Sequence, residues 1–499
     1  MSMPATDQQS PRPTGRWSQR ASVHPRALYT IGVFEVLERF SYFGMLTILV
    51  YYIYFTADNG GLGMPQNAAT AIVGGYGGII YLSTIAGGWI ADRVLGNERT
   101  LVVGAIVVLA GHISLALLPG IAGLVVGLAF VAVGSGAIKT STGTIIGTLY
   151  EAKDPRREIG FTIYYVSISL GSLFGATTTA FLQKNWGFHA GFGAAAVGMA
   201  VGLGIYLTTR RAQTLTPDAI LASNPASTGT IVRAVLIVTA LVAAAVALIG
   251  SGAVDVSQSA GVVAVLASAV GVGYLISILK SKKVTTADKK RVIGYLPIFG
   301  ASTLVVMFFL QLYTSISVHA DVHTNRQVFG WELPPSTAIA IGPIFTLALF
   351  PVVSLLWKRL GSRQPSVVGK YAIALLIMCV GYSLLGAFSI NPTDTTPILV
   401  VLVVVLCFYA ADLVAAPSGV STVTALAPPA YKSQLLSVHY LSFSIAAALS
   451  GVVAQYYPAD TGDSVSGFFW ANAALGLGAA LLLVILRRPI CRAMALESK

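Results

Sequence analysis

Charge is the scarcest property of this sequence. Only 10% of its 499 residues are Asp, Glu, Lys or Arg, against about 25% in an average soluble protein. A water-soluble fold of this length could not cover its surface with so few. Cysteine is nearly absent as well: Cys379, Cys407 and Cys491 are widely spaced, and the first two fall inside apolar runs where a thiol behaves as a small hydrophobe. No disulfide framework or metal motif follows. No nucleophile stands beside a base at a useful spacing and no phosphate-cradling loop is present, so an enzyme is not expected. The first 25 residues hold Arg12, Arg16, Arg20 and four prolines but lack the short apolar core and small-residue cleavage site of a secretory signal. Residues 1–27 read as a cytoplasmic tail.

What the sequence has in excess is apolar length. Hydrophobic residues make up 55% of the chain, with 51 glycines. A bilayer span takes about 20 helical residues, and runs of that kind lie at 28–55, 69–91, 100–119, 121–148, 159–183 and 187–209. Two more follow at 231–250 and 259–279, then a further six at 291–318, 335–357, 367–389, 396–427, 431–456 and 465–487. The expected fold is an all-α membrane protein of 14 spans, arranged six, two, six: 28–211, 231–280 and 290–488, with a tail at 489–499.

The net charge of +12 does not call for nucleic acid, because the basic residues sit between apolar runs rather than on one soluble face. With both ends inside, the inner loops collect Arg93, Arg99, Lys153, Arg210, Arg211, Lys358, Arg359, Arg363 and the cluster from Lys280 to Arg291. The outer loops keep only Lys184 and Arg326 and carry Asp58, Asp255, Asp321 and Glu332. That bias predicts a multi-pass protein of the cell membrane with cytoplasmic termini.

Removing the loop charges leaves Glu35, Glu38 and Arg39 in span 1, Lys139 in span 4 and Asp412 in span 10. An ionisable group at bilayer depth is expensive unless paired or wetted, so these residues must face an interior and are functional-site candidates. The alternative is a buried ion pair that locks helices together. Glu35 and Arg39 stand one helical turn apart, at i,i+4 pairing distance. Glu38 can reach a neighbouring helix, with Lys139 as a mobile partner or a permanent one.

The run Gly87-Gly-Trp-Ile-Ala-Asp92-Arg93-Val-Leu-Gly-Asn-Glu-Arg99 joins spans 2 and 3 and resembles the cytoplasmic loop motif of the major facilitator superfamily. There it serves as a conformational latch, a role this resemblance gives to Asp92 and Arg93. In span 1, Glu35-Val-Leu-Glu38-Arg39-Phe40-Ser41-Tyr42-Phe43-Gly44-Met45 resembles the ExxERF(x)YY signature of the proton-dependent oligopeptide transporter (POT) family. Gly134–Lys139, Tyr164–Leu173 and the stretch from Ala411 to Pro428 agree with it.

The resemblance implies the major facilitator fold, two six-helix bundles with two inserted helices, and alternating access by rocking. It also implies import of di- and tripeptides driven by protons, with no other cofactor. Arg39 and Lys139 then take the peptide carboxylate, Asp412 takes its amino group, and Glu35 and Glu38 carry protons together with Arg39 and Lys139. Tyr42, Phe43 and Tyr81 line the cavity, and Ser169, Gln311, Ser418 and His439 complete its wall. A monomer that binds small peptides, protons and the bilayer is expected.

This sequence departs from the family at Leu46, Thr140, Ser169, Leu310, Gly342, Asp412 and His439. Leu310 stands where an acid is common, and His439 is a titratable group that could handle protons in its place or a neutral histidine hydrogen-bonded in the core. Because these changes cluster on the substrate and proton machinery, two other functions stay open. One is transport of another anionic or zwitterionic solute on the same fold; the other is a solute sensor that does not transport.

Overall fold

A computed structural model describes residues 24–150, 156–210, 225–233, 255–391, 395–428, 431–458 and 465–494, with the single residues 222 and 236. The described residues are almost wholly helical. The first group comprises α1 (Arg26–Tyr54), α2 (Gln66–Ile90), α3 (Asn97–Leu117), α4 (Gly120–Thr148), α5 (Arg156–Trp186) and α6 (Phe188–Thr209). One inserted helix, α7 (Ser259–Lys280), follows. The expected span at 231–250 falls mainly on residues outside those described. The last group comprises α8 (Thr286–Leu310), α9 (Ser315–Val322), α10 (Gly342–Leu360), α11 (Val367–Phe388), α12 (Ile398–Leu426), α13 (Lys432–Ala454), α14 (Val465–Ile485) and the short α15 (Arg487–Ala493).

Among the described residues, twelve helical segments are long and apolar enough to cross a membrane. The 29-residue α1 has the length as well, but it also holds Glu35, Glu38 and Arg39. Pro25, Pro65, Pro119 and Pro397 each stand immediately before a helix, where the fixed φ suits the first turn and the missing N–H costs nothing. The seventh long segment is broken: the chain tightens over Gln311–Tyr313, turns at Thr314 and restarts as α9.

Packing divides the helices into two groups. α1 lies on α5 and α6, α3 on α4 and α6, and α2 on α4; in the second group α11 lies on α12 and α14, and α8 on α12 and α13. The groups meet along a seam where α2 lies on α13, and α7 rests on both of these helices. Glycine makes that approach possible. A Cβ at Gly74 would fall 2.8 Å from the Ala447 carbonyl oxygen and against the backbone of Gly451. Polar contacts between the groups gather where α1 ends: the Tyr51 hydroxyl donates to the Ser317 carbonyl at 3.1 Å and the Tyr54 hydroxyl to Asp321 at 2.6 Å. Arg326 adds contacts to Asp321 at 3.7 Å and Glu332 at 3.3 Å, while Lys184 donates to the Glu332 carbonyl.

Candidate functional site

The charged residues of α1 form one tight group. Arg39 Nε lies 2.7 Å from Glu35 Oε1 and 2.9 Å from Glu38 Oε2, and all three residues are buried. The i,i+4 relation of Glu35 and Arg39 is therefore used, and Glu38 folds onto the same guanidinium rather than across to Lys139. Glu35 Oε2 and Glu38 Oε1 have no hydrogen-bond donor among the described residues. Two carboxylates thus share one hydrogen-bonded guanidinium and keep oxygens free, an arrangement that can take up a proton.

α4 brings Lys139 to the same region, half-buried. Its ammonium nitrogen stands 5.1 Å from the centre of the Tyr42 ring and 4.9 Å from that of Tyr81. Arg39 stands against the same ring, its guanidinium carbon 5.8 Å from the Tyr42 ring centre. Cation–π attraction holds such a side chain without neutralising it, so the ammonium keeps its capacity for an anion. Close approach of α4 to α2 depends on small residues: a Cβ at Gly87 would meet the Gly136 carbonyl and the Ala137 backbone within 3 Å.

Aromatic rings link this charged wall to the second group. Phe43 stands 6.4 Å from Tyr313, and Tyr81 stands 5.6 Å from Phe443 of α13. Asp412 lies midway along α12 and is half-buried. Among the described residues no ion pair joins it to Arg39 or Lys139. One turn earlier, Tyr409 packs on Phe309 at 5.0 Å, and a Cβ at Gly342 would strike the Tyr409 ring, 2.6 Å from Cζ. The space that an asparagine would take at 342 in the resemblance is filled here by that ring. Sequence reasoning missed Tyr409 and Tyr313; the signal available was only that Tyr409 lies three residues before Asp412 and shares its helix face.

The other expected wall residues have hydrogen-bond partners within their own helix group. Gln311 is fully buried, donates to Asn472 at 3.3 Å and accepts from Ser315 at 2.5 Å, so its amide is committed inside the second group. His439 is fully buried too, with its Nδ1 2.6 Å from the Tyr295 hydroxyl. Ser169 and Ser418 donate to carbonyls of their own helices, those of Tyr165 and Val414. Asp92 and Arg93 are exposed on the widened turn Ala91–Leu95, and the Arg93 carbonyl accepts from the Ala226 amide at 2.9 Å. Among the described residues no cluster of three or more metal-ligating side chains occurs.

Comparison with known proteins gives one consistent result. The sequence profile of the POT family matches residues 98–469. An uncharacterised transporter of Bacillus subtilis is 34% identical, over 87% of this chain and 88% of its own length. A di-/tripeptide transporter of Lactococcus lactis subsp. cremoris is 32% identical over 94% of this chain and 96% of its own. A crystal structure of a POT family transporter in complex with 5-aminolevulinic acid superimposes with a TM-score of 0.87 at 30% identity, covering 94% of this chain and 97% of that one.

Proposed function

The chain belongs to the POT family, and from that premise we propose that it is a symporter that imports di- and tripeptides with protons by alternating access. The single observation that carries this reading is that Arg39 and Lys139 both stand against the Tyr42 ring, with a carboxylate, Asp412, on the other helix group. A peptide is a zwitterion, and opposite charges on opposite walls of a cavity complement it. Lys139, held by ring faces rather than by an acid, takes the carboxylate. Asp412 takes the amino group, and a bound peptide thereby ties the two groups together and favours closure.

Proton coupling follows from the count of charges. Glu35, Glu38, Arg39 and Lys139 sum to zero when all are ionised, so the arriving carboxylate leaves an excess negative charge at buried depth. Taking up a proton on Glu35 or Glu38 restores neutrality, which makes peptide and proton binding mutually favourable. The free oxygens of these two carboxylates support that role. Asp92 and Arg93 act as the latch of the inner loop, and the proton is the only coupling ion. The protein works as a monomer in the cell membrane with both ends in the cytoplasm, its bundles bounded as 28–211 and 290–488 and separated by two inserted spans.

A second reading, transport of another small zwitterion, is favoured by one observation: the Tyr409 ring stands where Gly342 leaves room, which alters the wall facing the charged cluster. A relative crystallised with 5-aminolevulinic acid fits that chemistry. Proteoliposomes with an inward proton gradient separate the two. Accumulation of a labelled dipeptide, abolished by an uncoupler, is expected; no accumulation of any di- or tripeptide together with accumulation of 5-aminolevulinic acid would replace the first reading by the second.

A further inference from the structure

A cavity of about 720 Å³ lies outside the charged cluster, between the second halves of α10 and α12 and the start of α11. Its walls include Phe350, Val353 and Trp357 on α10, Gln364 on the loop, and Val414 and Pro417 on α12. Two prolines belong to these helices: Pro351 lies inside α10 and Pro417 inside α12. Each removes a backbone bond and bends or loosens its helix. α10 is also poorly covered. Among its described residues only Gly342 and Pro343 are buried, while Phe350, Val352, Leu355 and Leu356 are exposed apolar side chains. Such a face belongs against hydrocarbon.

The chemistry of the rim is one-sided. Lys370 Nζ stands 4.6 Å from the centre of the Trp357 ring and donates to Gln364 Oε1 at 3.2 Å, and Gln364 in turn donates to the Trp357 carbonyl at 2.8 Å. These bonds fix an ammonium group in place, and among the described residues no acid forms an ion pair with it. Lys358 and Arg359 stand in the last turn of α10 and Arg363 on the loop after it, and no acidic residue occurs between Glu332 and Asp394. A basic pocket between spanning helices, opening on hydrocarbon, matches an anionic headgroup with acyl chains attached.

We propose that this cavity binds an anionic phospholipid, its phosphate on Lys370 beside Trp357 and one acyl chain along Phe350 and Val414. The leaflet is the cytoplasmic one, which rests on the orientation proposed above; the site itself does not. α10 lies on α5 of the first group as well as on α12, so the lipid sits on a helix that touches both groups.

The test uses the purified full-length protein in detergent, with native mass spectrometry and thermal melting. Phosphatidylglycerol should be retained and should raise the melting temperature, whereas phosphatidylcholine should do neither. Lys370→Gln should weaken phosphatidylglycerol binding about fivefold, the worth of one surface cation, and Arg363→Gln, on the exposed rim, should weaken it less. Lys283→Gln, in the other basic loop, should leave it unchanged. Equal retention of the two lipids, equal binding in the wild type and both rim variants, or an equal rise in melting temperature with inorganic phosphate alone would each overturn the proposal. Dialanine added to the same samples reads the transport site separately: a dialanine shift without a lipid preference removes only the lipid site, and the reverse removes only peptide transport.

Discussion

The hydroxyl of Tyr54 on α1 and the carboxylate of Asp321 on α9 are joined at 2.6 Å, a bond that spans the two helix groups at the end where α1 finishes. A hydrogen bond to a charged group is worth about 1.5–3 kcal/mol net. Tyr54→Phe should therefore shift the equilibrium towards a form open at that end by roughly tenfold or more. Spin labels at the ends of α1 and α9 should report a longer distance population in the variant. An unchanged distance distribution would show that the bond does not hold this end closed.

Substitution of Lys139 tests the binding site. Lys139→Ala removes the cation that faces Tyr42 and Tyr81, and dipeptide affinity should fall roughly tenfold to a hundredfold with the loss of a charge-assisted bond. Gradient-driven uptake should disappear and counterflow should be strongly reduced. Normal driven uptake would remove Lys139 from the mechanism.

The glycine seam between α2 and α13 should be intolerant of bulk. Gly74→Leu places a side chain against the backbone of Gly451 and Ala447, and overpacking of this kind costs about 1–3 kcal/mol. Because the contact joins the two groups, the melting temperature should fall and labels across the seam should move apart. A variant as stable as the wild type, with the seam still closed, would contradict the packing.

His439 offers a choice between structure and proton handling. Its burial and its bond to Tyr295 at 2.6 Å predict a structural part. His439→Phe should leave the Tyr295 hydroxyl without that partner, a loss of about 1–3 kcal/mol, seen as a lower melting temperature. The pH profile of uptake should keep its shape. A displaced profile would instead give the imidazole the proton role that Leu310 cannot fill.

The latch makes a kinetic prediction. Asp92 lies exposed on the widened turn between α2 and α3. Asp92→Asn should slow counterflow severalfold while leaving equilibrium dipeptide binding, read by thermal shift, unchanged. A large loss of binding would place this residue in the site itself.

Much of this protein could be read from its sequence alone. Nearly every span was visible as apolar length, and Glu35, Glu38, Arg39, Lys139 and Asp412 stood out because charge at bilayer depth is costly enough to be rare. The ExxERF run carried the family, because its residues are close in sequence and fixed in type, and Lys139 agreed with it. The partners were not legible. Helices that are apolar on nearly every face do not declare which face turns inward, so the sequence left open what Gln311 and His439 touch, and the structure alone sets Asn472 and Ser315 beside the one and Tyr295 beside the other.

The sequence by itself determined that the chain spans a membrane many times and that five charges lie within it, since both follow from composition along one dimension. Only the tertiary structure decided that Glu38 joins Glu35 on Arg39, that Lys139 rests on two tyrosine rings, and that Tyr409 fills the space beside Gly342. Those relationships depend on distances of a few ångströms between helices far apart in the chain. Such distances are set by how side chains and glycines interlock when the helices pack.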